Sequence, residues 1–292
     1  MYFVNFHYGS VSIHARRPPQ ILSGNGDAAA PALIEVQAAE LAQDVRGKHV
    51  LFVTHGFNVT YAEGVRSLAR FAASLALPPN VKVVPVLWPG DFYVRGINYP
   101  IASVAAIDSG RGLAALCNGA LAGKALGFSF MSHSLGARVV LEAVAGLAGR
   151  ARMLCITAGA VNDDCLSPGG EYAAVAAKAD HIYNLASLED EVLRLAYPVG
   201  NLIGWIFAPH HGAFQQALGR GGPRPPALPP TDPHQIPDVQ AYDHGNYLAS
   251  SQTHAPVPAP PPTLDDTNKW QRVSAFVSQA YTAAIAPWPP PA

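Results

Sequence analysis

Phe128-Ser129-Phe130-Met131-Ser132-His133-Ser134-Leu135-Gly136-Ala137-Arg138-Val139-Val140 joins an apolar run to an apolar-periodic one through a short turn of small residues. A strand passed at once into a helix leaves room for only a sharp turn, which forces its central residue into a strained backbone conformation with its side chain clear of both elements. Ser134 occupies that centre and is the candidate nucleophile. Gly136 fits the position two residues later in the elbow pattern G-x-S-x-G, and Ser132 stands where that pattern has its first glycine. Alone, the motif fits a helix-capping serine equally well, so its surroundings must decide.

Those surroundings alternate. His49–Thr54, Val81–Leu87, Ala125–Met131, Ala151–Thr157 and His181–Ala186 read as short apolar strands, as expected when both faces of a sheet are covered. Helical segments separate the first four: Thr60 with Glu63 makes a capping box opening a helix to about Leu77, small residues form a helix over about Ser103–Ala122, and Leu135–Leu147 follows the elbow. A β-α-β-α-β order predicts a mostly parallel central sheet with helices on both faces and the site at the carboxyl ends of its strands. At such ends lie His55-Gly56-Phe57-Asn58, the Ser134 turn, Gly159-Ala160-Val161-Asn162-Asp163-Asp164 and Ser187-Leu188-Glu189-Asp190-Glu191.

The flanks are less regular. Tyr2–Tyr8 alternates as a half-exposed edge strand, Pro18–Pro31 reads as a loop, and helical periodicity runs from about Leu33 to Val45. The apolar but interrupted Leu193–Phe207 is a candidate lid, and Gly219–Pro237 carries seven prolines and reads as an extended connector. Val239–Tyr242 is the candidate last strand. A final helix begins about Thr263, with Thr263 and Asp266 as a capping pair and Trp270, Val273, Phe276, Val277, Ala280 and Ala284 as its apolar face. One domain over residues 1–292, with a lid or insertion at about 197–237, accommodates all of this.

Composition narrows the class. Hydrophobic residues make up 49% of the 292 and charged residues 13%, which fits a globule with a large interior. A formal net charge of −1 without a Lys/Arg cluster gives no reason to expect a nucleic-acid partner or an anionic membrane. Cys117, Cys155 and Cys165 have neither disulfide-framework number nor zinc spacing and read as core thiols. Met1–Pro19 lacks the pattern of a secretory signal, and no apolar run of about 18 residues suggests stable membrane insertion, so the expected location is the cytoplasm.

Taken together, the Ser134 elbow, His55-Gly56-Phe57-Asn58, Ser187-Leu188-Glu189-Asp190 and His244 after the last strand-like segment resemble the α/β-hydrolase superfamily. With Trp88-Pro89, Leu218-Gly219 and the terminal Asp-x-x-x-x-x-His-Gly stretch from Asp238 to Gly245, residues of about 48 to 250 resemble a bacterial group of α/β-hydrolases of unknown function. The resemblance implies an α/β-hydrolase fold and a nucleophile, acid, histidine order, which Ser134, Asp190 and His244 supply. Asp163 or Asp164 stays open as the acid; of the histidines after Asp190 that fit the order, His210, His211, His234, His244 and His254, His244 alone follows a strand-like segment and His254 is the next considered for the base.

The implied chemistry is acyl transfer. A serine hydroxyl needs a base within hydrogen-bond reach and a carboxylate that fixes the base's tautomer, and a histidine of unperturbed pKa ~6.5 can take and return the proton. The oxyanion would be held by the N–H of Leu135 and one from the 55–58 turn, Phe57 first and Asn58 second. His55 would brace that turn, Asn58 and His133 are candidates for contact with substrate, and Trp88, Tyr99 and the Leu202–Phe207 segment are candidates for an apolar substrate wall. The expected activity is a serine hydrolase, carboxylesterase or lipase-like, cleaving an ester or related acyl bond of a small molecule with no cofactor or metal. An idle ligand- or protein-binding relative and an acyltransferase are the other readings. Acyl-chain length and oligomeric state are not legible.

Overall fold

The computed structural model describes residues 1–7, 15–28, 31–91, 98–195, 216–224, 230–249 and 264–283. Nine strands form one sheet in the order β3-β2-β1-β5-β4-β6-β7-β8-β9. They are β1 (Tyr2–Asn5), β2 (Gln20–Gly24), β3 (Leu33–Val36), β4 (His49–Thr54), β5 (Val81–Leu87), β6 (Gly127–His133), β7 (Ala151–Thr157), β8 (Ala179–Ser187) and β9 (Thr231–Ile236). Only β1–β2 and β2–β3 pair antiparallel; every other neighbour is parallel. This is the mostly parallel sheet of an α/β hydrolase.

Alternation along each central strand divides the core into two layers. Leu51, Val53, Met131 and Cys155 pack toward α2 (Tyr61–Ser74) and the final helix, numbered α7 here (Leu264–Thr282). Val50, Phe52, Phe130 and Leu154 pack on the other face, with α1 (Ala38–Asp44), α3 (Asn98–Asn118), α4 (Gly136–Gly146) and α5 (Ala173–Ala176). Both faces of β4, β6 and β7 are thus covered, which is why those strands read as continuous apolar runs. At α2 the capping box is formed: Glu63 N–H donates to Thr60 Oγ1 (3.3 Å) and Thr60 N–H to Glu63 Oε2 (2.9 Å). The core thiols expected at Cys117, Cys155 and Cys165 are all buried.

Four local expectations are corrected. β1 is not an edge strand: it lies between β2 and β5 with Phe3 and Val4 fully buried, because Gln20–Gly24, inside the presumed loop, pairs with it. Leu33–Val36 is strand, and the helix starts only at Ala38, where Gln37 N–H donates to Glu40 Oε1 (3.1 Å). The last strand is β9, inside the proline-rich connector, while Asp238–Gln240 is a 3-10 turn. β9 tolerates Pro233 because it is an edge strand, where the missing N–H removes no bond from a second neighbour. Of the span of about 197–237 expected as a lid or insertion, 216–224 include the short helix α6 (Leu218–Gly221) and 231–236 form β9, while 196–215 and 225–229 lie outside the described residues. Thr263 and Ala284 of the terminal helix pattern also lie outside them.

Gly136 is where the two parallel βα units meet most closely. A Cβ on it would lie 2.4 Å from the carbonyl oxygen of His55 and 3.0 Å from Thr54 Cγ2. Gly136→Ala should therefore cost about 1–3 kcal/mol of stability, as overpacking against backbone does. Urea unfolding checks this, and an unchanged midpoint would contradict the contact.

Candidate active site

Ser134 sits at the turn between β6 and α4 with φ +55°. A left-handed backbone costs a non-glycine residue roughly 1–2 kcal/mol and persists only where neighbours over-determine it. Here Ser134 N–H donates to Thr157 O (3.0 Å), and its carbonyl accepts Ala137 N–H (3.0 Å) and Ala160 N–H (3.1 Å). The side chain is thereby projected beyond the carboxyl end of β6.

Two loops bring the other candidates to it. After β8, Asp190 opens a helical turn over 191–195: its Oδ1 accepts Leu193 N–H (2.9 Å), and the side chain is fully buried. After β9, the 3-10 turn His244–Asn246 presents His244, whose Nδ1 lies 2.8 Å from Asp190 Oδ2 and whose Nε2 lies 2.7 Å from Ser134 Oγ. A carboxylate can only accept, so Nδ1 carries the proton and donates to Asp190, leaving Nε2 to accept from the serine hydroxyl. The structure thus brings Ser134, His244 and Asp190 into one hydrogen-bonded chain.

Asp163 is engaged elsewhere. Arg224 Nε and Nη2 both donate to its Oδ2, at 2.9 and 2.7 Å, in a charge-assisted pair that ties residue 224 to the loop after β7. His234, on β9, packs edge-on to Phe276. His210, His211 and His254 lie outside the described residues, as do Tyr99's side chain and Leu202–Phe207.

The turn after β4 is held by His55 and Trp88. His55 Nδ1 lies 2.9 Å from Gly56 O, Trp88 N–H donates to His55 Nε2 (3.3 Å), and Trp88 Nε1–H donates to His55 O (2.8 Å). Only the Nδ1–H tautomer satisfies both ring contacts, so His55 is neutral, and burial pushes its pKa down to about 3. Its ring also stacks on the Trp88 indole, with centroids 5.7 Å apart. Trp88 is fully buried, which corrects its expected place in a substrate wall: it is a brace beneath the turn. Asn58, at φ +57°, donates its N–H to Gly90 O (2.7 Å). That engages the second-choice oxyanion donor.

The sequence marks Gly56 and Ser187 only as members of strand-end motifs and does not single out Lys269, yet these residues dock the parts together. Gly56 lets the turn lie against the elbow, since a Cβ there would be 2.8 Å from Ser134 Cβ. Ser187 Oγ–H donates to Tyr242 O (2.8 Å), and Lys269, buried on α7, donates through Nζ to Ala241 O (3.0 Å). Both hold the loop that presents His244. A lone lysine beside Trp270 on an otherwise apolar helix face was the available signal for Lys269.

The fold and these converging strand ends define an α/β hydrolase. The chain belongs to the family described as alpha/beta hydrolase of unknown function (DUF900), whose model matches residues 34–182. No curated protein matches it. Among solved structures it is similar to acetyl xylan esterase 1 from Thermoanaerobacterium sp. JW/SL YS485, at 12% identity and a TM-score of 0.39 over 83% of this chain and 82% of that one, too distant to bear on activity. No helix among the described residues is long and apolar enough to cross a membrane.

The buried histidines set an acid limit on the fold. His55 and His133 both have folded-state pKa values below the ordinary ~6.5, chiefly through burial, so the unfolded chain binds protons that the folded chain does not. Their neutral form is fully compatible with folding above about pH 6.5, and stability is lost as pH falls below it. For His55 the loss continues to about pH 3. Each unit in that window removes roughly 1.4 kcal/mol per histidine, so urea unfolding should give a free energy at least about 2 kcal/mol lower at pH 5 than at pH 7.5. A pH-independent value would contradict neutral burial.

Proposed function

We propose that this protein is a serine hydrolase that cleaves a carboxylic ester or a related acyl bond of a small molecule through an acyl-enzyme. The observation that carries the reading is the hydrogen-bonded sequence Asp190 Oδ2, His244 Nδ1, His244 Nε2, Ser134 Oγ, with both contacts under 3 Å. Ser134 Oγ attacks the carbonyl carbon as His244 Nε2 takes its proton, and the carbonyl π pair moves onto oxygen. Collapse expels the alcohol, which leaves with the proton from His244. Water then enters, gives a proton to His244 and attacks the acyl carbon, and the acid departs as Ser134 regains its hydrogen.

Asp190 holds the His244 tautomer and stabilises the imidazolium. The developing oxyanion is received by the N–H groups of Leu135 and Phe57, with Asn58 N–H bonded to Gly90. The Leu135 donor stands at the start of α4, where unpaired N–H groups and the helix dipole both favour negative charge. Asn58, an exposed residue on the rim of the turn, is the proposed side-chain contact for substrate.

Incubation with a fluorophosphonate should label the folded wild type and leave Ser134→Ala unlabelled; an unlabelled, folded wild type would favour a binding role for the fold. An added alcohol that outcompetes water for the acyl group would instead mark an acyltransferase. With p-nitrophenyl esters of increasing chain length as substrates, Asp190→Asn should lose on the order of 10³ to 10⁴ in kcat, by analogy with other serine triads. An active Asp190→Asn enzyme would remove Asp190 from the mechanism.

A further inference from the structure

His133 precedes the candidate nucleophile and is a sequence candidate for substrate contact, but its surroundings assign it a different task. The side chain is only 9% exposed. Its ring lies against His244, with centroids 4.8 Å apart and planes at 44°, and stacks on Tyr247 at 5.8 Å and 26°. Its Nε2 lies 2.9 Å from the backbone carbonyl oxygen of His244. A carbonyl can only accept, so Nε2 carries the hydrogen and donates it. Nδ1 is then bare and faces the turn after β4, where a Cβ on Gly56 would come within 3.1 Å of it.

We propose that His133 is a positioning residue that ties the backbone of the general base to the strand carrying the nucleophile. This inference rests on the serine-hydrolase reading above. The tie is short in covalent terms at one end and long at the other: residue 133 is bonded to Ser134, whereas His244 is 111 residues away. Movement of the His244 loop relative to β6 would change the Ser134 Oγ to His244 Nε2 distance directly. One hydrogen bond from the nucleophile's own neighbour opposes that movement. Ser187 and Lys269 hold the same loop at Tyr242 and Ala241, two and three residues upstream, so His133 alone among these three anchors the base residue itself.

Neutrality is part of the arrangement. Burial and the neighbouring His244 both push the His133 pKa well below its ordinary value. When His244 becomes cationic in the reaction, the ring beside it therefore adds no like charge. A residue of this kind should act on the chemical step and leave substrate binding alone.

The test compares the wild type with His133→Phe, which keeps an aromatic ring and removes the donor, and His133→Gln, whose amide nitrogen can reach near the Nε2 position. Since misplacement of a catalytic group by about 1 Å can cost 10²-fold, His133→Phe should lower kcat for a p-nitrophenyl ester by about 10- to 100-fold with KM within about threefold of wild type. His133→Gln should recover most of that loss. Wild-type kcat in His133→Phe, a change confined to KM, or no recovery in folded His133→Gln would overturn the proposal. Should His133→Phe not fold, imidazole ¹⁵N NMR of the wild type decides: His133 must be the neutral Nε2–H tautomer at pH 7, and an Nδ1–H or cationic ring would refute it. A wild type that neither hydrolyses esters nor takes the fluorophosphonate, while showing that tautomer, would refute the hydrolase reading and with it any role for His133 in catalysis.

Discussion

The site depends on one close approach, backbone against backbone, between the turn that follows β4 and the elbow that follows β6. Parallel pairing of β4 with β6 brings Thr54 opposite Ser132 and so delivers both turns to the same edge of the sheet. Side chains at the two contact points would hold them apart. Gly56 has no atom to strike Ser134, and Gly136 none to strike the His55 carbonyl. With the turns in contact, the left-handed Ser134 is locked by bonds to Thr157, Ala137 and Ala160. The first glycine of the usual elbow is dispensable here: Ser132 is fully buried in β6, where its carbonyl accepts the Thr157 hydroxyl at 2.8 Å.

Around this contact the structure uses buried polar clasps where loops alone would be loose. His55 and Trp88 hold the turn after β4 by three hydrogen-bond contacts and a stacked pair of rings, and the contact at His55 Nε2 requires a neutral imidazole. The His244 loop has no regular strand of its own beyond β9. It is fastened by Ser187 from β8, Lys269 from α7 and His133 from β6. Preorganisation of this kind is what acyl transfer requires, because donors and base must already be aimed when charge develops.

Much of this was legible in the sequence wherever the physical cause was local. The central strands were readable because burial on two faces makes an uninterrupted apolar run, and β7 was bounded at Ala151 and Thr157 as observed. α2 announced itself through Thr60 and Glu63. Ser134 and Asp190 could be placed because they follow strands, whereas His244 was placed behind Val239–Tyr242, which is not strand; its place after Ser134 and Asp190 in the chain still selected it, and the structure brings those three together. What stayed hidden depends on distant partners. Gln20–Gly24 becomes a strand only by pairing with β1, and Thr231–Ile236 only by lying along β8, where an edge position excuses its proline. Trp88 was misplaced for a related reason: a large aromatic after a strand suits a pocket wall or a buried brace, and only the hydrogen bond to His55 distinguishes them.

The central claim is that charge from an acyl carbon bound to Ser134 develops between two prepared N–H groups. A crystal structure of the protein carrying an organophosphonate adduct tests it most directly, since the tetrahedral phosphorus stands in for the acyl intermediate. The account requires the phosphorus on Ser134 Oγ, with one phosphoryl oxygen about 3 Å from both Phe57 N and Leu135 N. An adduct on another residue, or a phosphoryl oxygen turned away from both groups, would contradict it.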